Sequence, residues 1–274
     1  MHPLVSVDWL NQNQHNPDLI LLDASLPGTV EGKSADTGQA TIPGARFFDL
    51  KKKFSDLNAP FPNTIPSPTQ FEKECRDLGV NNHSTIIVFD NMGIYSSPRV
   101  WWLFKTMRHQ KVFVLDGGLP EWIKAGLSTT TTHAISETSG DLIANYRSEF
   151  LKTFEDVVNN CEHPHFKLID ARSAGRFSGE QSEPRKHLKS GHIPGSVNLP
   201  FGEVLENGKF KSKEDLDAIF QNLVGNEQNL AFSCGSGLTA CIILLAAHLT
   251  GRESKLLYDG SWTEWAERKR LITT

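Results

Sequence analysis

The chain has 274 residues, which is enough for two compact domains, because a single hydrophobic core rarely grows beyond about 250 to 300 residues. Hydrophobic residues make up 38% and charged residues 22% of the chain, a composition typical of a folded globular protein and not of a disordered one. The formal net charge of -4 excludes a global basic field that would attract nucleic acid or an anionic membrane, so we expect neither as a partner.

The four cysteines, Cys75, Cys161, Cys234 and Cys241, indicate a reducing compartment. They lack the paired Cys-x-x-Cys spacing of a zinc site and are too few for a disulfide scaffold. The N-terminus has neither the basic nor the apolar part of a secretory signal. The longest apolar run, 240–249, is shorter than the roughly 20 residues that cross a bilayer. We therefore predict a cytoplasmic protein without a membrane span.

In chain order, four segments of the first half recur in the second half. They are an apolar run closing on Asp-Ala, an Ile-Pro-Gly turn, an apolar run that ends at Asp90 or Cys234, and an apolar run that ends at Asp-Gly. The matched pairs are 19–25 with 167–173, 41–48 with 192–199, 85–90 with 229–234, and 112–118 with 255–261. The preserved order predicts a duplicated domain.

The apolar runs predict buried parallel strands. They show no strict polar alternation, and helical stretches such as 69–78 and 213–223 separate them. We therefore expect an α/β protein in which each half is a mainly parallel sheet flanked by helices. A threonine-rich segment, 128–139, has little apolar content and is the predicted linker. The predicted domains are residues 1–138 and 139–274.

Cys234 is the predicted nucleophile. It ends an apolar run and precedes the small residues 235–237 and the helical run 242–249. Ligands bind at the carboxyl ends of parallel strands, where the next helix presents free amide groups. Successive amides of this loop are expected to form an anion-binding concavity that stabilises a thiolate. The alternative, a buried structural cysteine, is the interpretation for the other three, although a resolving role for Cys241 stays open.

Five segments carry a family resemblance: 41–44, 97–102, 191–195, 234–240 and 258–265. On these segments the chain resembles the rhodanese superfamily, and in particular its tandem-domain 3-mercaptopyruvate sulfurtransferases, over nearly its whole length. The resemblance implies two tandem rhodanese-like domains, of which only the second is catalytic. Asp90, which stands where the first domain would need its cysteine, agrees with this implication.

The resemblance implies an activity as well as a fold. The protein would take sulfur from 3-mercaptopyruvate, hold it as a persulfide on Cys234 and release pyruvate, without a metal ion or organic cofactor. The outer sulfur would pass to thioredoxin, a small thiol or cyanide. Relatives that prefer thiosulfate have cationic residues after the cysteine, where this chain has Gly235 and Ser236. The neutral loop therefore favours 3-mercaptopyruvate as the donor.

The family's site residues map onto this sequence. Ser236 is expected to contact the substrate or to help protonate its enolate. Arg176 and Arg185 are expected to bind the substrate carboxylate, because a guanidinium group can hold a carboxylate through two hydrogen bonds. The remaining substrate-binding residues expected from the resemblance belong to the loop: Gly235, Gly237, Leu238 and Thr239.

Residues around the loop carry further expectations. In some relatives a histidine precedes the first Ile-Pro-Gly turn and is proposed to act with the loop serine, but this chain has Thr41, which argues against such a proton relay. His192, in the second turn, is interpreted as structural, and Arg172 as a partner of a neighbouring acid. Three residues near the C-terminus are expected to line the cleft or to belong to the core: Asp259, Trp262 and Trp265.

Three alternative functions share features with this sequence. A thiosulfate sulfurtransferase differs only in its donor, and relative turnover of the two donors would separate them. A dual-specificity phosphatase of the same superfamily needs Cys-x5-Arg, but position 240 is alanine, which nearly excludes it. A non-enzymatic binding or sensor module fits the first half, where Asp90 replaces the cysteine, but not the intact loop at Cys234.

Overall fold

The computed structural model describes residues 2–27 and 37–272. The chain divides into two compact units, and each unit includes a short segment from the other half of the sequence. The first unit consists of Met1–Asp56, Ile65–Arg147 and Asn207–Phe210. The second consists of Leu57–Thr64, Ser148–Glu206 and Lys211–Thr274. The predicted boundary between residues 138 and 139 stays a prediction, because the units are defined by packing and not by one cut in the chain.

The first unit contains a five-stranded parallel sheet. Its strands are β1 (Leu4–Val5), β2 (Leu19–Asp23), β3 (Arg46–Phe47), β4 (Thr85–Phe89) and β5 (Val112–Leu115). Its helices are α1 (Val7–Asn13), α2 (Pro68–Asp77), α3 (Ser97–Thr106) and α4 (Gly118–Lys124). The strand order is β1-β5-β4-β2-β3, with every pair parallel. Residues 86–89 of β4 are all buried, so both faces of the sheet are covered, because successive side chains on a strand point to opposite faces.

The second unit repeats this sheet. Its helices are α5 (Phe154–Glu162), α6 (Ala174–Ser178), α7 (Lys213–Val224), α8 (Ala240–Leu249) and α9 (Ser261–Ile272). Its sheet strands are β6 (Leu151–Lys152), β7 (Lys167–Asp170), β8 (Val197–Asn198), β11 (Leu230–Ser233) and β12 (Leu256–Tyr258). The order is β6-β12-β11-β7-β8, again with every pair parallel. Two further short strands, β9 (Leu205–Glu206) and β10 (Lys209–Phe210), lie outside the two five-stranded sheets.

The strand orders confirm the predicted α/β fold and its internal repeat. The four matched sequence segments form equivalent strands, β2 with β7, β3 with β8, β4 with β11, and β5 with β12. Side-chain caps begin helices in both units: Ser6 and Ser67 accept backbone amides at the starts of α1 and α2, and Thr153 and Ser212 do so at α5 and α7. None of the helices in the described part of the chain combines the length and apolar character needed to span a membrane.

Candidate active site

Cys234 directly follows β11, the central strand of the second sheet, and its loop leads into α8. Strands β7 and β12 flank β11, so the residues after all three strands meet at one edge of the sheet. Cys234 is only 1% exposed. The topology therefore places the predicted nucleophile at the ligand-binding edge of a parallel sheet, inside a closely packed loop.

Ser261 fixes the shape of this loop. The amides of Cys234 and Gly237 both donate to the Ser261 hydroxyl oxygen, each at 3.1 Å, and that hydroxyl donates to the carbonyl of Tyr258 at 2.8 Å. Gly237 has a φ of 75°, which a glycine adopts without a steric penalty. One buried hydroxyl thus ties both ends of the turn at Cys234.

The start of α9 binds the loop's carbonyl groups. The amide of Trp262 donates to the carbonyl of Cys234 at 3.0 Å, and the amide and hydroxyl of Thr263 donate to the carbonyl of Gly235 at 3.1 and 2.6 Å. These carbonyl oxygens are therefore turned toward α9. The loop amides have a different environment, since four of them donate no hydrogen bond within the described residues: Gly235, Ser236, Leu238 and Thr239.

The equivalent loop of the first unit shows what its amides bind. Asp90, which is fully buried, follows β4 as Cys234 follows β11. One oxygen of its carboxylate accepts the amides of Tyr95, Ser96 and Ser97 at 2.8 to 3.0 Å and the Ser97 hydroxyl at 2.6 Å. The other oxygen accepts the amide of Met92 at 3.0 Å. The loop thus forms an anion-binding nest around the side chain at the strand end.

The two loops have matching frameworks. The amide of Leu119 donates to the carbonyl of Asp90 at 3.0 Å, as Trp262 does to Cys234. Gly118 has a φ of 51°, and Ser261, at the matched position, has a φ of 52°. A serine in this left-handed conformation is strained relative to glycine, and its hydroxyl, which holds two loop amides, offsets that strain. The repeat therefore indicates that the amides around Cys234 are arranged for an anion.

Arg176, predicted from the family, contacts the loop. A Cβ atom on Gly235 would lie 2.9 Å from Nη2 of Arg176, so the guanidinium group packs directly against the loop backbone. Arg176 is 9% exposed and forms two hydrogen bonds with Glu183, at 3.1 and 2.8 Å. Glu183 also accepts a hydrogen bond from Arg172 at 2.9 Å, and Arg172 forms an ion pair with Asp170 at 2.6 Å. Two buried carboxylates thus hold two arginines beside the loop.

Arg185 reaches the loop through one intermediate. Its Nη1 donates to the Thr263 hydroxyl at 3.2 Å, and that hydroxyl donates to the carbonyl of Gly235. The structure therefore brings both predicted arginines to the loop of Cys234. His192 lies apart from these contacts, since its ring stacks on Phe177 at 4.2 Å and its Nδ1 lies 3.0 Å from the Phe177 carbonyl oxygen.

The residue that contacts Ser236 is Asn63. Its side-chain nitrogen lies 2.9 Å from the Ser236 hydroxyl and 3.0 Å from the Ser236 carbonyl oxygen. Thr41, the residue considered from the sequence, belongs to the first unit and donates to Asp23 at 2.6 Å. Asn63 has no counterpart in the matched repeat segments, so the sequence carried no signal for it.

The remaining polar groups and cysteines are less suited to chemistry. Burial raises the pKa values of the Cys75 and Cys161 thiols, so both stay protonated and weakly nucleophilic at neutral pH.

The Trp262 indole nitrogen donates to the carbonyl of Lys189 at 2.9 Å, and the Arg172 guanidinium lies 4.5 Å from the centre of the Trp262 ring. The described residues contain no group of three or more His, Cys, Asp or Glu side chains placed to hold a metal ion.

A family model supplies the deciding comparison, because the Rhodanese-like domain matches this chain twice, at residues 6–125 and 153–268. The chain belongs to the rhodanese family. Both rhodanese domains correspond to the two halves of the repeat, and the predicted family resemblance is confirmed. Cys234 lies in the second rhodanese domain and Asp90 in the first.

Individual relatives match along nearly the whole chain. The 3-mercaptopyruvate sulfurtransferase of Rattus norvegicus is 40% identical, covering 97% of this chain and 92% of the relative. The Thiosulfate/3-mercaptopyruvate sulfurtransferase 1, mitochondrial, of Arabidopsis thaliana is 38% identical, covering 98% of this chain and 77% of the relative. Among solved structures, the 3-mercaptopyruvate sulfurtransferase SseA of Escherichia coli matches with a TM-score of 0.83 and 34% identity, over 96% of this chain and 99% of that chain.

Proposed function

We propose that the second rhodanese domain transfers sulfur from 3-mercaptopyruvate to a thiol acceptor through a persulfide on Cys234. The observation that carries this proposal is the loop of Cys234, whose framework matches one that surrounds a carboxylate in the first domain. A negatively charged sulfur at Cys234 is the anion that such a loop suits. The sulfurtransferase relatives make 3-mercaptopyruvate the first donor to test.

The first half-reaction is a nucleophilic displacement at sulfur. The Cys234 thiolate attacks the sulfur of 3-mercaptopyruvate and forms an S–S bond, while the C–S bond breaks and its electron pair moves to carbon. The products are the Cys234 persulfide and the enolate of pyruvate. The enolate then takes a proton, from the Ser236 hydroxyl or from water, to give pyruvate. The amides of Gly235, Ser236, Leu238 and Thr239 stabilise the charged sulfur in this mechanism, and Gly237, whose amide is held by Ser261, shapes the loop around the substrate.

Arg176 and Arg185 bind the substrate carboxylate in this mechanism. Arg176 packs against Gly235, and Arg185 is linked to the same residue through Thr263. Two cations on one side of the loop orient the substrate so that its sulfur faces Cys234. Glu183 keeps the Arg176 guanidinium in place through its two hydrogen bonds.

The second half-reaction returns the enzyme to its starting state. An acceptor thiolate attacks the outer sulfur of the persulfide, a new S–S bond forms on the acceptor, and the electrons of the broken bond return to Cys234 as its thiolate. Reduced thioredoxin or a small thiol serves as this acceptor, and cyanide serves in an assay. No metal ion or organic cofactor takes part in either step.

The first rhodanese domain is non-catalytic in this proposal, because the Asp90 carboxylate fills the nest that a reactive sulfur would need. We place this domain at residues 1–138 and the catalytic domain at 139–274. The proposed compartment is the cytoplasm, which the sequence favours through its cysteines. The name of the Arabidopsis thaliana relative includes the word mitochondrial, so the alternative compartment is a mitochondrion.

The donor preference is testable by steady-state kinetics. We expect kcat/KM for 3-mercaptopyruvate to exceed that for thiosulfate by about tenfold or more, because the neutral residues Gly235 and Ser236 leave an inorganic dianion without cationic partners in the loop. Pyruvate release and thiocyanate formation from cyanide measure the two reactions. If kcat/KM is higher for thiosulfate, the protein is a thiosulfate sulfurtransferase. If it consumes neither donor, the alternative of a non-enzymatic binding module is favoured.

A further inference from the structure

Asn63 comes from the first half of the sequence but belongs to the second unit, within the segment Leu57–Thr64. Its side-chain nitrogen forms two hydrogen bonds with Ser236, the residue two positions after Cys234. We propose that Asn63 is the positioning residue of the site, which orients the Ser236 hydroxyl so that it donates its hydrogen to the substrate. This inference rests on the proposed function and names the residue on which the role of Ser236 depends.

The identity of the contacting atoms follows from hydrogen-bond chemistry. The carbonyl oxygen of Ser236, 3.0 Å from the Asn63 side chain, can only accept, so the atom that faces it is the amide nitrogen Nδ2. The same nitrogen lies 2.9 Å from the Ser236 hydroxyl oxygen. Because Nδ2 has no lone pair to offer, the hydroxyl oxygen accepts this bond and its own hydrogen points elsewhere. Asn63 therefore restricts the rotation of the Ser236 hydroxyl to directions that point away from its own side chain.

The backbone holds Asn63 in an unusual conformation for this contact. Asn63 has a φ of 61°, in the left-handed region, and is 6% exposed. Asparagine is one of the few residues other than glycine that adopts this region readily. The next residue closes the turn, since the Thr64 hydroxyl donates to the carbonyl of Phe61 at 2.8 Å. Such conformations persist where surrounding contacts maintain them, and they are common at functional sites.

The orientation of the Ser236 hydroxyl has a chemical consequence that depends on which sulfur donor, 3-mercaptopyruvate or thiosulfate, reacts. When the C–S bond of 3-mercaptopyruvate breaks, negative charge develops on the keto oxygen of the enolate, and a fixed hydroxyl donor stabilises that charge. Thiosulfate contains no carbon and forms no enolate. Loss of Asn63 should therefore slow the reaction with 3-mercaptopyruvate more than the reaction with thiosulfate, whereas a general distortion of the loop would slow both alike.

The experiment combines two Asn63 variants with Ser236→Ala. Asn63→Gly removes the side chain but keeps the left-handed backbone, and Asn63→Asp keeps the shape but replaces the donor by an acceptor. Asn207→Gly is the matched control, because Asn207 is exposed, has a φ of 52° and lies in the first unit. Purified full-length variants are assayed for kcat and KM with 3-mercaptopyruvate and with thiosulfate.

We expect Asn63→Gly and Asn63→Asp each to lower kcat for 3-mercaptopyruvate by about tenfold, with KM changed by less than about threefold. In the Ser236→Ala background the further loss should be about threefold or less, since the hydroxyl that Asn63 orients is already absent. Thiosulfate turnover should change by about threefold or less, and Asn207→Gly should match the wild type.

Two results would overturn the inference while leaving the proposed function intact. The first is that Asn63→Gly lowers kcat by the same factor in the wild-type and Ser236→Ala backgrounds. The second is that Asn63→Asp keeps the full wild-type kcat. Both results presuppose that the wild type turns over 3-mercaptopyruvate. A wild type that consumes no 3-mercaptopyruvate would overturn the proposed function, and this inference with it.

Discussion

Cys234→Ser should lower kcat for 3-mercaptopyruvate by roughly 10⁴-fold or more, as the loss of a nucleophile does in other covalent enzymes. A serine hydroxyl is not ionised at neutral pH, and its attack on the donor would have to form an S–O bond in place of an S–S bond. The substitution is nearly isosteric, and Cys234 lies on a loop held by backbone contacts from Ser261 and Trp262, so the fold should remain. Pyruvate release measures the rate, and far-ultraviolet circular dichroism measures the fold.

Cys161→Ser is the matched control for this variant. Cys161 is half-buried on α5, and burial raises the pKa of its thiol, so it contributes no thiolate at neutral pH. Its replacement should leave kcat within about twofold of the wild type. A folded Cys234→Ser protein that keeps more than a tenth of the wild-type kcat would contradict the assignment of the nucleophile.

Asp90→Ala should lower the free energy of unfolding of the first unit by about 3 to 5 kcal/mol, the range expected when a buried charge loses its hydrogen-bonding partners or leaves them unpaired. Four backbone amides and the Ser97 hydroxyl donate to this carboxylate, which is fully buried. The carboxylate also lies at the N-terminus of α3, where negative charge is favourable. Removing it leaves all five donors without an acceptor.

Urea unfolding followed by tryptophan fluorescence tests this prediction, because four of the six tryptophans lie in the first unit: Trp9, Trp101, Trp102 and Trp122. Asp141→Ala is the control, since Asp141 is an exposed carboxylate of the same unit that accepts the amide of Asn82 at 2.9 Å. The control should lose about 1 kcal/mol or less. Equal losses for Asp90→Ala and Asp141→Ala would mean that the Asp90 nest contributes no special stability.

The duplicated loop explains how one framework supports two outcomes. In the first unit the strand-end residue is itself an anion, so the loop amides are satisfied from within and stabilise the fold. In the second unit the strand-end residue is Cys234, which carries the persulfide in the proposed mechanism. Ser261 replaces Gly118 of the first unit, and its hydroxyl accepts the amides of Cys234 and Gly237.

Much of the fold was readable from the sequence because its signals are local. Buried parallel strands leave continuous apolar runs, and the repeat supplied each of them twice, as with β4 and β11. The placement of Cys234 followed from the same pattern, since a strand end before a helix is the ligand edge of a parallel sheet. Arg176, which packs against Gly235, was predicted as a substrate-binding residue from the family resemblance and not from any local pattern.

The parts of the site that escaped sequence reasoning depend on contacts between distant residues. Asn63 and Ser236 are 173 positions apart, and the segment around Asn63 has neither periodicity nor a repeat partner. The role of Ser261 is not visible in the sequence, because a positive φ in a residue other than glycine leaves no local pattern. Glu183, which joins Arg172 and Arg176, lies in a loop where its two partners were not predictable.

The most direct test of the persulfide mechanism is the intact mass of the wild type and of Cys234→Ser after incubation with 3-mercaptopyruvate, before and after a reductant wash. The wild type should gain one sulfur atom, about 32 Da, which the reductant removes, and peptide mapping should locate it on Cys234. Cys234→Ser should gain none. Pyruvate release without any sulfur on the protein, or a gain of sulfur that persists in Cys234→Ser, would contradict the mechanism.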